Sequence, residues 1–166
     1  MAELDILIEA EGWRDIPDVE KRAEAAALAA LKSVHPRKWQ RLSATILLAD
    51  DATLHRLNRD FRNKDKPTNV LSFPVASQPG VADDGFLGDI ALAFGVTSRE
   101  AAEEGKTVAD HMSHLVVHGI LHLLGYDHET DDDAVVMETR ETRILAGMGI
   151  ADPHIDQDGR SGGATE

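Results

Sequence analysis

Residues 118–128 read HGILHLLGYDH, three histidines at spacings of four and six, with Gly125 three residues before the last. His118 and His122 stand one helical turn apart, so on a helix their imidazoles share a face. Gly125 suits the left-handed conformation that ends a helix and reverses the chain. His128, just beyond, then returns toward the other two. The stretch therefore asks for a helix running to Leu124 and a stop at Gly125. The rest of the chain must supply a surface for the helix's apolar positions.

Upstream, Thr107 is placed to open this helix. At about 100° per residue, and with His111 at zero, His114 falls at about 300°, His118 at about 340° and His122 at about 20°. Four of the eight histidines thus lie on one stripe. A single histidine on such a face, His111 for example, is ordinarily a packed core residue. His118 and His122 followed by a chain reversal to His128 are the ligand pattern of a metal.

The flanking elements follow from periodicity. Leu4, Ile6 and Ile8 alternate as a first strand, and an alanine-rich helix follows Pro17–Asp18 to about Val34. LSATILLA (42–49) reads as a buried strand, and Asp51 as the cap of a helix through about Phe61. RNKDKP (62–67) is a loop, and TNVLSFPV (68–75) a strand ended by Pro74. SQPGVADDG (77–85) is turn-rich, which predicts a mobile segment. GDIALAFG (88–95) is a strand, Thr97 with Glu100 has capping-box spacing for a short helix, and Asp133 to about Met148 is the last helix. Four strands and about five helices in mixed order predict an α/β (α+β) fold, a small mixed four-stranded sheet covered by helices. A single catalytic domain over 1–152 is expected, and a disordered tail over 153–166, where apolar content is too low to pack.

The histidine spacing matches the H-E-x-x-H-x-x-G-x-x-H pattern of metzincin proteases at every histidine and at the glycine, a zincin-like site. Gly119 stands where the protease keeps its glutamate base. With no cysteine in the chain, a metal must sit on imidazole and carboxylate. One Zn2+ per chain, on three histidines with a fourth position open, is the expectation; nickel, cobalt and iron also accept imidazole. A metal lowers the pKa of bound water to about 7, which answers in part for the missing glutamate. Leu121, Leu123 and Leu124 supply a dry wall. Gly119 either leaves room for substrate beside the metal or permits close helix packing.

A chain of 166 residues, 42% of them hydrophobic, suits one globular domain. The opening MAELDILIEAEGW is acidic and alternating, neither a secretory signal nor a transit peptide. The expected location is cytoplasmic, with no membrane partner. The net charge of −13 argues against nucleic acid until its distribution is considered. Between Lys32 and Lys66 nine basic residues face four aspartates, a local +5 that leaves −18 for the rest. Such polarity suits one phosphate-facing surface and an acidic back.

With PTNVLSFP (67–74), LGDI (87–90), LNRDFRNKDKPTNVLSFP and DHMSHLVVHG, the histidine motif resembles the YbeY family of bacterial metal-dependent endoribonucleases over roughly residues 42–150. The resemblance implies zinc on His118, His122 and His128, and Arg62 and His114 as catalytic residues. It also implies action on single-stranded RNA, in 16S ribosomal RNA 3′-end maturation and ribosome quality control. The partners implied are the small ribosomal subunit and ribosome-assembly proteins such as the Era GTPase. A guanidinium fork at Arg62 independently suits charge building on a phosphodiester. Asn69, Ser72, Asp89, His111 and Asp127 are candidates to orient the site or touch RNA, each with a plain structural explanation beside it. Two other functions remain open: a metallopeptidase, opposed by Gly119, and a non-catalytic ribosome-assembly factor whose metal is structural.

Overall fold

The computed structural model describes residues 2–75, 85–127 and 129–151. The mobile segment expected at 77–85 falls almost wholly outside them. So do His128 and the tail expected to be disordered. Strands β1 (Glu3–Ile8), β2 (Ser43–Ala49), β3 (Val70–Pro74) and β4 (Phe86–Ala93) form one sheet in the order β1-β2-β4-β3. β1, β2 and β4 run parallel, and β3 pairs antiparallel to β4 at the edge. Among the described residues five α-helices pack around it: α1 (Val19–Val34), α2 (Asp51–Arg62), α3 (Phe94–Glu104), α4 (Val108–Leu123) and α5 (Asp131–Gly147). The mixed four-stranded sheet and the helix count are as the sequence predicts.

Alternation along β2 and β4 divides the core. Ile46, Leu48, Ile90 and Leu92 face a large cluster with α1, α4 and α5, while Ala49, Ala91 and Ala93 face a smaller one with Leu54 of α2 and Leu71. The histidine helix α4 is central, touching α1, α3, α5, β3 and β4. It begins at Thr107, whose hydroxyl accepts from the Asp110 backbone N–H at 3.1 Å. It ends where Gly125 takes φ +104°.

Three helix starts differ from expectation. Asp50, not Asp51, caps α2, accepting from the Thr53 N–H at 2.8 Å. Asp51 instead reaches across to accept the Val96 N–H of α3 at 3.0 Å and to pair with Arg99 at 3.1 Å. That carboxylate occupies the space a side chain at Gly95 would need. Being capped from outside, α3 starts directly off β4 at Phe94. Thr97 is buried within it rather than opening it. In α5, Thr130 accepts from the Asp133 N–H at 3.0 Å, so the helix begins at Asp131.

Candidate functional site

The histidine stripe of α4 forms as the spacing requires. His118 Nε2 and His122 Nε2 lie 3.0 Å apart, within hydrogen-bond distance of each other. Two imidazoles bound to one tetrahedral zinc at about 2.0–2.1 Å hold their nitrogens about 3.3 Å apart, so the pair fits a shared ion. Among the described residues no three metal-ligating side chains gather at one point. The third expected ligand, His128, lies outside them.

Behind the pair stands a residue the sequence reading passed over. Glu141 of α5 is 2% exposed, and its two carboxylate oxygens meet His118 Nδ1 at 2.5 Å and His114 Nε2 at 2.9 Å. A signal was present: Met137 and Ile144 are buried on the α5 stripe, and Glu141 occupies the position between them where an apolar residue belongs. Burial pushes the His114 imidazole below the usual histidine range, against the lift from its hydrogen bond and charge interaction with Glu141.

A second imidazole–carboxylate pair lies farther up the helix. His111, 3% exposed, meets Glu100 of α3 at 2.8 Å, and Asn69 Nδ2 donates to the same oxygen at 3.0 Å. Burial works to raise the Glu100 carboxyl, but the hydrogen bonds from His111 and Asn69 outweigh it and hold the group below the ordinary glutamate range. Buried so fully, His111 has almost no surface to offer a substrate. It joins α3 to α4, and Asn69 adds the start of β3.

Ser72 ties the sheet edge to the histidine helix, its hydroxyl donating to the Gly119 carbonyl at 3.2 Å. Its own carbonyl accepts from Arg62 Nη2. Arg62 therefore reaches the helix that carries His118 through one intervening residue. The guanidinium also lies over the Phe73 ring, 5.4 Å from its centroid. The aspartates nearest Arg62 in sequence are engaged elsewhere, Asp60 with Arg59 at 3.0 Å and Asp65 with His55 at 2.6 Å. Asn58 shapes the loop beyond, accepting from the Lys64 N–H through its carbonyl and donating to the Lys66 carbonyl through its amide. Phe61 is 68% exposed and edge-on to Phe73.

The remaining candidates do not converge on the histidines. Asp89 is exposed on β4 opposite Phe73, and alternation puts it on the sheet face away from Ile90 and α4. Asp127 is exposed and accepts from the Glu129 N–H at 3.3 Å, closing a turn. Gly119 faces the sheet: a Cβ there would meet Ile90 Cγ2 at 3.0 Å and Cδ1 at 3.2 Å. Of its two readings, close packing is the one the geometry supports.

The model of the family described as "Endoribonuclease YbeY" matches residues 8–149. A relative of that name from Azorhizobium caulinodans is 50% identical over 152 residues, 92% of this chain and 96% of its own length. Another from Bradyrhizobium diazoefficiens is 46% identical over 159 residues, covering 93% and 86%. In fold, the chain is similar to the solution structure of TM1509 from Thermotoga maritima, with a TM-score of 0.56 at 23% identity, covering 88% of this chain and 91% of that one. A match spanning nearly the whole domain, histidine helix and arginine loop together, settles its kinship: the chain belongs to the endoribonuclease YbeY family.

Proposed function

We propose that this protein is a zinc-dependent endoribonuclease for single-stranded RNA, acting in 16S ribosomal RNA 3′-end maturation and in ribosome quality control. The observation that carries the reading is the link Arg62–Ser72–Gly119, which sets an exposed guanidinium beside the helix bearing the convergent His118 and His122. Those two imidazoles, with His128 as the expected third, are the residues to hold the metal. Zinc, when bound, supplies Lewis-acid chemistry for phosphodiester hydrolysis. Arg62 binds phosphate through its planar fork. The exposed ring of Phe61 offers a base a stacking face in the same basic segment, the combination single-strand binders use. The small ribosomal subunit and the Era GTPase are the partners this reading carries, and the cytoplasm its location.

The test is zinc content of the purified protein together with cleavage of single-stranded and duplex RNA and of a peptide, with His118→Ala as control. Zinc at one per chain and cleavage of single strands, both lost in His118→Ala, is the expected result. Peptide turnover without RNA cleavage would favour the peptidase. Zinc retained with neither activity would favour an assembly factor.

A further inference from the structure

We infer that Glu141 is a positioning residue for the metal centre, fixing the tautomer and ring plane of His118 while bracing His114 with its second oxygen. The inference rests on the reading of His118 and His122 as metal ligands. A histidine presents only one nitrogen to a metal, and which one depends on where its other N–H is held. At 2.5 Å from His118 Nδ1, the carboxylate is an acceptor that places the proton on Nδ1 and leaves the Nε2 lone pair bare. That Nε2 is the atom turned toward His122. With the Nδ1 proton held by the carboxylate, Nε2 is the nitrogen left to face a metal shared with His122.

The support is rigid because of where it comes from. His114 and His118 are one turn apart on α4, while Glu141 projects from α5, and one carboxylate reaches both rings. A carboxylate 2% exposed is costly to bury without partners. An apolar residue at 141 would fill the stripe of Met137 and Ile144 more cheaply. The buried carboxyl group is explained by what it orients. His114 then acts through Glu141, holding the carboxylate in the plane His118 needs.

The experiment compares wild type, Glu141→Gln and Glu141→Leu in three measurements. Zinc affinity is read by competition with a chromophoric chelator, the His118 tautomer by long-range nitrogen–proton NMR of the metal-free protein, and the fold by melting in chelator. Removing such a partner weakens metal binding roughly 10–100-fold. We expect a loss near the low end for Gln, which keeps the shape and a weaker acceptor, and near the high end for Leu. Wild-type His118 should show the proton on Nδ1, and Glu141→Leu a shift toward Nε2. Glu141→Gln is the variant that must melt like wild type in chelator, so that lost affinity is not lost fold. Unchanged affinity in both variants, or a wild-type proton on Nε2, overturns the proposal. If wild type binds no zinc, the metal reading fails, and the tautomer measurement still decides whether Glu141 orients His118.

Discussion

At the scale of single residues, Gly119 and Glu100 carry the sharpest tests. Gly119→Ala adds a methyl 3.0 Å from Ile90 Cγ2, which requires a shift of a few tenths of an ångström. The helix gains about 0.5–1 kcal/mol from losing glycine, so the two effects oppose, and stability should stay within about 1 kcal/mol of wild type. Gly119→Glu drives a carboxylate into the Ile90 contact, and an uncompensated buried charge costs about 3–5 kcal/mol. Denaturant melts should separate the variants, with RNA turnover largely spared in the alanine protein. A glutamate variant as stable as wild type would contradict the packing role. Glu100 has a folded pKa held below its ordinary 4.5. Its contribution to stability is therefore complete above that value and is lost as pH falls through the lower folded value. Glu100→Gln should melt lower than wild type at neutral pH, and the gap should narrow on acidification. A gap constant with pH would mean the carboxylate's charge does not matter there.

At the scale of elements, the arginine loop and the histidine helix meet through β3. Asn58 pins the loop, Ser72 bridges to α4, and Phe73 supports the Arg62 guanidinium. Arg62→Lys keeps the charge and loses the fork, so long-range attraction to RNA should persist while the two-pronged contact does not. Single-turnover cleavage should fall by 10-fold or more, on the order of 1.4 kcal/mol, and RNA affinity far less. Equal losses in both would remove Arg62 from any transition-state role. Binding should weaken as salt rises in both proteins. Element identity was readable from periodicity and turn residues, and the helix starts were less so. Asp50 and Asp51 are equivalent to a sequence reader; only the packing of α3 beside α2 assigns one to each helix.

At the scale of the whole molecule, no helix among the described residues is long and apolar enough to cross a membrane. The site rests on a core that does not depend on the metal, since α4 buries Met112, Val116, Ile120 and Leu123 against the sheet and neighbouring helices. His122→Ala should therefore fold yet lose zinc. Its melting temperature should no longer rise when zinc is added, whereas wild type should gain about 2.7 kcal/mol at 100 times the dissociation constant. An undiminished zinc response would displace His122 from the site. The sequence by itself determined the histidine helix, its stop at Gly125 and the mixed sheet, because helical and strand periodicities, caps and left-handed glycines are local properties of the chain. It also carried the family resemblance, through motifs contiguous in the chain. Only the tertiary structure decided that Gly119 faces Ile90, that His111 pairs with Glu100, and that Glu141 joins His114 and His118 from 27 and 23 positions along the chain. Those are contacts between elements, and what a buried carboxylate faces depends on how helices pack.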